Sequence, residues 1–218
     1  MRNQYLFLLC AAICSIYSCQ NIETTDDASA SISSQSQGKF IVVDPSESHL
    51  TFKNEVVESY QRNSMFFDYF LNGGGVSVGD INNDGLVDIF FTGNDVPNRL
   101  YLNEGNLVFK DITDSALPQR KSWSTGANMI DINDDGYLDI FVCNSGMDTS
   151  PQSLANQFLI NNGDLTFTDQ AAKMGVAGNN MSVHSSFFDY DNDGDLDLWV
   201  SNHVNFDKNL KKLFENEK

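Results

Sequence analysis

The feature that most constrains this chain is a nine-residue acidic loop that occurs three times, at 80–88, 131–139 and 189–197. Each copy has the form Asp-x-Asp/Asn-x-Asp-Gly-x-x-Asp. The copies hold three, four and five aspartates, out of 30 acidic residues in the chain. Carboxylates packed this closely repel one another unless a cation sits among them. Oxygens at positions 1, 3 and 5 lie on one tight turn. Glycine at position 6 lets the backbone reverse, and position 7 offers its carbonyl. An all-oxygen donor set of this kind suits Ca²⁺. No His or Cys lies in any loop, which disfavours zinc and copper.

The expected ligands follow position by position. The first loop offers the side chains of Asp80, Asn82, Asp84 and Asp88 and the carbonyl of Leu86. The second offers Asp131, Asn133, Asp135 and Asp139 with the carbonyl of Tyr137. The third offers Asp189, Asp191, Asp193 and Asp197 with the carbonyl of Asp195. About three Ca²⁺ ions are expected, one per loop. The third loop has four side-chain carboxylates where the others have three and an amide, so it is expected to bind most tightly. These loops are not EF-hands, because position 12 is Phe91, Val142 and Val200 rather than a bidentate Glu. Position 9 closes the shell instead, between strand-like flanks.

Those flanks repeat too. In the first copy, strand-like runs cover 75–79, 89–93, 98–103 and 107–111, with turn chemistry at 104–106. In the second, 140–144, 156–161 and 165–169 follow the loop, with a turn at 162–164. The third opens at Phe187-Phe188 and offers 198–201 after its loop. The loop starts at 80, 131 and 189 give periods of 51 and 58 residues. Helical periodicity is absent between the loops, which disfavours a helical solenoid. Four short strands per period predict an all-β fold of β-propeller blades, each of four antiparallel strands. A different all-β stack is the competing architecture. About two and a half blades are present, and blades need a closed ring to cover their edges. The chain is therefore expected to be a fragment of a longer protein rather than a self-assembling unit.

The N-terminus reads as a targeting segment. Arg2 precedes an apolar run at 5–13 that is too short to span a bilayer, so residues 1–18 are expected to be a signal peptide. Ile16-Tyr17-Ser18-Cys19 resembles the lipobox of bacterial lipoproteins, which implies cleavage before Cys19 and lipidation of its thiol. Gln20 stands where an inner-membrane retention signal would have Asp, so the expected destination is the outer membrane, with lipid as a partner. Residues 19–38, rich in Ser, Thr, Gln and Ala, read as a flexible tether, and 39–218 as the repeats. With Cys10 and Cys14 in the leader and Cys19 acylated, Cys143 is left without a disulfide partner. It lies in an apolar run and is expected to be a buried structural thiol.

The loops with their flanks resemble the FG-GAP/VCBS repeats known from the integrin α-subunit propeller. Asn72-Gly73-Gly74-Gly75-Val76-Ser77-Val78-Gly79-Asp80, Asn98-Arg99-Leu100-Tyr101-Leu102-Asn103 and the stretch from Phe187 to Asp197 resemble the cartilage-acidic-protein-like VCBS family, to which large lipoproteins of Bacteroidota belong. The resemblance covers about residues 50–205. It implies a seven-bladed propeller, loop-bound Ca²⁺ and a binding role at the cell surface. Members are much longer and often carry a C-terminal ASPIC/UnbV domain, which supports the fragment reading.

The net charge of −17 argues against a nucleic-acid partner. The leading functional expectation is a calcium-stabilised surface binding or adhesion module, with a glycan or protein ligand on the loop-bearing face. A propeller-type polysaccharide-degrading enzyme and a purely structural repeat scaffold are the alternatives. No catalytic pair stands out. His184-Ser185 has no partner spaced to orient it, and the paired carboxylates are assigned to metal. Arg99, Arg120, Lys121 and Trp123 are the faint candidates for a ligand groove.

Overall fold

The computed structural model describes residues 40–148 and 150–204. The expected signal peptide, the lipidated Cys19 and the tether lie outside the described residues. Residues 40–42 belong to a unit separate from the one that begins at Val43, and they carry no helix or strand.

The blade architecture is borne out. Strands β1 (Val76–Gly79), β2 (Asp88–Phe91), β3 (Arg99–Asn103) and β4 (Phe109–Asp111) form one antiparallel sheet in sequential order. Strands β5 (Trp123–Ile130), β6 (Asp139–Ser145), β7 (Gln157–Asn161) and β8 (Phe167–Asp169) form a second with the same order. Strands β9 (Ser182–Phe188) and β10 (Asp197–Asn202) pair as the first half of a third. The described residues therefore do not close a ring. Among the described residues, three one-turn helices, too short for sequence periodicity to reveal, punctuate the chain: α1 (Pro45–Ser48), α2 (Thr113–Ala116) and α3 (Pro151–Leu154). In α1 and α3 a side-chain cap from Asp44 or Ser150 and a proline in the first turn start the helix.

The blades pack face to face, and the burial of each strand records how many neighbours its blade has. Every residue of β6 is buried, because the second blade is covered on both faces. Ile140, Val142 and Leu159 face the first blade's Phe90 and Leu100, whereas Phe141, Cys143 and Phe158 face Phe187, Leu198 and Val200 of the third. Strand alternation thus serves two cores from one sheet. In β1 and β10, which have one such neighbour among the described residues, no residue is buried, and half-buried positions alternate with exposed ones over most of each strand. Cys143 is a free, buried thiol, as expected from its apolar run.

The first strands of successive blades approach closely because a glycine recurs there. A Cβ on Gly75 would sit 2.6 Å from the Thr125 carbonyl oxygen, and one on Gly126 would sit 2.6 Å from that of Val183. Only glycine tolerates this approach. The contact is pinned by polar bonds between first strands. The Met129 N–H donates to the Ser77 hydroxyl at 2.9 Å, and the Ser185 hydroxyl donates to Asn128 Oδ1 at 2.6 Å.

The segment before β1 adds a third apolar cluster. Phe67 and Phe70 are buried against Trp123, with ring centroids 5.7 and 5.3 Å from the indole. The period difference between copies also finds its place. Asp88 and Asn103 are 15 residues apart, whereas the equivalent Asp139 and Asn161 are 22 apart. The seven extra residues lie in the β6–β7 connection, which carries α3.

Candidate metal centre

Each acidic loop joins the first and second strands of its blade, so all of them lie at the same end of the sheets. Their internal hydrogen bonds repeat residue by residue. In the first loop, Asp80 accepts from the Asp84 and Gly85 N–H groups at 3.1 and 2.7 Å. Asn82 Oδ1 accepts from Asp84 at 3.3 Å, and Asp84 Oδ1 from Leu86 at 2.8 Å. Asp131, Asn133 and Asp135 make the same bonds to Asp135, Gly136 and Tyr137. So do Asp189, Asp191 and Asp193, to Asp193, Gly194 and Asp195. Gly85, Gly136 and Gly194 have φ of 85°, 87° and 96°, the left-handed turn that position 6 requires.

Position 4, which the sequence reading passed over, is also left-handed. Asn83, Asp134 and Asn192 have φ of 60°, 55° and 60°. Asn and Asp accept this region more readily than other side chains. Their recurrence at position 4 was the available signal. Asn83 does more, since its Nδ2 donates to the Gly136 carbonyl of the next loop at 2.9 Å.

In the first two loops position 9 also ties the loop to its blade. The Asp88 carboxylate accepts from Ile81 N–H at 2.9 Å and from Asn103 N–H at 2.8 Å. Asp139 does the same with Ile132 at 3.3 Å and Asn161 at 2.8 Å. Each carboxylate thereby ties its loop to the third strand of the blade. Both are fully buried. Burial pushes their carboxyl groups above the ordinary range, and the neighbouring Asp80 and Asp84, or Asp131 and Asp135, push in the same direction. Among the described residues Asp197 keeps only the bond from Tyr190 N–H, at 2.8 Å, and is exposed. Asn103 and Asn161 were missed as loop supports, although an Asn-x-Gly turn recurs at both. Their Nδ2 atoms donate to the Val87 and Leu138 carbonyls.

The third loop brings its carboxylates together most clearly. Oxygens of Asp189, Asp191 and Asp197 all lie within 4.8 Å of one another, a cluster that does not include Asp193. In the first two loops the position-3 amide leans on position 5, with Asn82 Nδ2 3.0 Å from Asp84 Oδ2 and Asn133 Nδ2 2.8 Å from Asp135 Oδ2. Asp191 has no such donor. Hard oxygens, a tight turn and unrelieved carboxylate repulsion fit a cation of the Ca²⁺ class.

The faint groove candidates separate. Arg99 pairs with Asp111 at 3.6 Å. Arg120 pairs with Asp169 at 3.7 Å and donates to the Gln152 and Ala155 carbonyls, so it braces a connection. Lys121 and Trp123 line a recess at the end of the blades opposite the loops. A second recess at that end, of about 320 Å³, is lined by Tyr69, Thr125, Gly126, His184 and His203. The Ser185 hydroxyl donates to Asn128 Oδ1 rather than to His184.

Comparison with known proteins fits this geometry. A family model described as "FG-GAP-like repeat" matches residues 80–142 and again 131–200, each match running from one acidic loop through the next. Cartilage acidic protein 1 of Xenopus tropicalis is 29% identical over 164 residues, which is 74% of this chain and 24% of that protein. The Mus musculus protein of the same name is 31% identical over 144 residues, 65% of this chain and 21% of the relative. The Homo sapiens protein is 30% identical over 147 residues, 66% of this chain and 21% of the relative. The chain thus spans a quarter or less of the length of the curated relatives it matches.

Proposed function

This chain belongs to the FG-GAP-like repeat family, and on that premise we propose that it is a calcium-stabilised binding or adhesion module held at the cell surface. The observation that carries the reading is the oxygen cluster of Asp189, Asp191 and Asp197 in a loop whose hydrogen-bond scheme recurs in the other two. In this reading each loop holds one Ca²⁺. The ligands are Asp80, Asn82, Asp84, Asp88 and the Leu86 carbonyl; Asp131, Asn133, Asp135, Asp139 and the Tyr137 carbonyl; and Asp189, Asp191, Asp193, Asp197 and the Asp195 carbonyl. Bound cation neutralises the buried position-9 carboxylates and stiffens the loop end of each blade. Sites of this class bind at roughly 10⁻⁴–10⁻³ M and stay filled outside the cell. They are structural rather than switches.

The remaining assignments belong to the same proposal. Residues 1–18 are a signal peptide, Cys19 carries the lipid, 19–38 form the tether and the repeats follow, on the outer membrane. The ligand is a glycan or a protein. It is bound at the end away from the loops, where the recesses lie, rather than on the loop-bearing face. The function is binding rather than catalysis.

The test is thermal melting of the chain lacking residues 1–18, titrated with Ca²⁺ and then with EDTA. A rise in melting temperature that EDTA reverses, and that Asp189→Ala or Asp193→Ala reduces, supports the reading. A folded chain indifferent to millimolar Ca²⁺ overturns it. Incorporation of labelled fatty acid by the whole chain, lost in Cys19→Ser, tests the anchor.

A further inference from the structure

At the end of the blades opposite the acidic loops, a recess of about 360 Å³ opens at the junction of the first and second sheets. Its size lies at the lower end of the range for small-ligand sites, roughly 300–1,000 Å³. Arg62 and Asp95 form one wall, Lys121 and Trp123 another, and Ser145 and Asp148 a third. Ser145 ends β6, whereas Asp148 comes from the longer β6–β7 connection, so the first blade has no counterpart to Asp148.

Ser145 marks the recess as built for something. It is 1% exposed, and its hydroxyl is the one buried side-chain polar group among the described residues without a hydrogen-bond partner. Such orphans cost about 1–3 kcal/mol and are rare in folded proteins. Its surroundings are otherwise fully satisfied. Ser124 donates to Asn144 Oδ1 at 2.8 Å, and Asn144 donates to the Ala155 carbonyl at 2.7 Å. The orphan is therefore particular to the residue that lines the recess.

The remaining wall selects among ligand chemistries. Arg62 is committed to Asp95 at 2.7 Å. Asp148 accepts from the Ser153 hydroxyl at 2.6 Å and from Ser150 N–H at 3.0 Å, and these bonds lower its carboxyl from the ordinary value. Cations and carboxylates thus balance around the recess, which favours neither an anion nor a metal. Trp123, 8% exposed, is packed against Phe67 and Phe70, and the surface it keeps is an apolar part of the wall. Pure donors, pure acceptors, hydroxyls and an aromatic side chain together match a molecule whose hydroxyls both donate and accept beside apolar C–H faces.

We propose that this recess binds an uncharged sugar unit of a glycan, with Ser145, Lys121 and Asp148 hydrogen-bonding its hydroxyls and Trp123 packing against its carbon face. The inference rests on the binding-module reading and gives it a ligand class and a place.

The test uses the chain lacking residues 1–18 in saturating Ca²⁺. It is probed by saturation-transfer-difference NMR and calorimetry with neutral sugars: glucose, galactose, mannose, N-acetylglucosamine and their short oligomers. The expected result is binding by at least one sugar, weakened about tenfold in Ser145→Ala, as for loss of one hydrogen bond. Lys121→Ala, at an exposed position, should weaken it without lowering the melting temperature, and Asp148→Asn, which also weakens the bonds from Ser150 and Ser153, should weaken it with a small loss of stability. Ser145→Ala should leave the sugar-free melting temperature unchanged or raise it. Sugar binding unaffected by all three variants overturns the recess and leaves the binding-module reading intact. No binding of any neutral sugar to a chain that Ca²⁺ demonstrably stabilises overturns the ligand class and leaves the calcium reading intact. A recess-dependent peptide ligand in place of sugars overturns it as well.

Discussion

The Asn83 side-chain amide donates to the Gly136 carbonyl across 2.9 Å, so the first acidic loop is fastened directly to the second. Asn83 also sits at φ 60°. One residue therefore supplies a turn conformation and a link between blades. Asn83→Gly should keep the turn and lose the link, costing about 1 kcal/mol. Asn83→Ala should lose both, with a further cost of about 1 kcal/mol for the left-handed backbone. Urea denaturation should rank the three chains in that order. Equal stability of the Gly and Ala variants would show that the backbone conformation contributes nothing.

Asp139 and Asp197 occupy the same loop position but differ in what they hold. Asp139→Ala leaves the Ile132 and Asn161 N–H groups without their acceptor, inside a fully buried site. Each orphaned group costs about 1–3 kcal/mol. Asp197→Ala releases only Tyr190, at an exposed position. In metal-free buffer the first substitution should destabilise strongly and the second by less than about 1 kcal/mol. Similar losses would mean that position 9 acts through charge alone.

Calcium binding should depend on pH in a defined direction. Burial raises the Asp88 and Asp139 carboxyls above the ordinary value of 3.8. The metal-free folded state therefore holds these protons more tightly than the unfolded chain. Their contribution to stability is present below pH 3.8 and is lost as pH rises through the raised folded values. Ca²⁺ must displace the same protons, so its affinity should weaken as pH falls toward that window. Calorimetry at pH 7.5 and pH 5 should show weaker binding and greater proton release at the lower pH. Filling one site to a hundred times its dissociation constant should add about 2.7 kcal/mol. An affinity independent of pH would remove position 9 from the ligand set.

Cys143 should be inert in the native chain. Burial pushes its thiol from 9.0 up to about 11. The unfolded chain releases that proton first, so this contribution is full below about pH 9 and is lost as pH rises toward about 11. Iodoacetamide at pH 8 should label the folded chain far more slowly than the chain in urea. Equal rates would place the thiol at the surface.

Gly126 tests the packing of neighbouring first strands. Gly126→Ala places a methyl carbon 2.6 Å from the Val183 carbonyl oxygen, so the strands must part. Overpacking of this kind costs about 1–3 kcal/mol. Gly175→Ala, with nothing within 4 Å of its Cβ but φ at +75°, carries only backbone strain. Thermal melting should separate the two, and an equal loss would mean that the close approach relaxes freely.

Much of the blade plan was legible in local residue order. Asp, Asn and Gly at fixed spacing dictate a turn wherever they occur, and alternating apolar residues dictate a half-buried strand. The loops and the second to fourth strands of both complete blades were therefore read within a few residues of where they stand. Strand β5 was harder, because Ser124-Thr125-Gly126-Ala127-Asn128 has little alternation. Its small residues make sense only beside the strand they must approach. The one-turn helices escaped for a related reason, since four residues carry no period.

The amino-acid sequence by itself determined the repeated loop, its oxygen donors and the four-stranded unit, because each depends on residues close together in the chain. Tertiary structure alone decided which faces of a sheet are buried. It also turned Asp88 and Asp139 into anchors for a strand 15 or 22 residues away. It joined Asn83 to Gly136, and gathered Arg62, Trp123 and Ser145 around one recess. Those relationships arise from how blades stack, and stacking is set by the fit of whole faces, to which no short stretch of sequence refers.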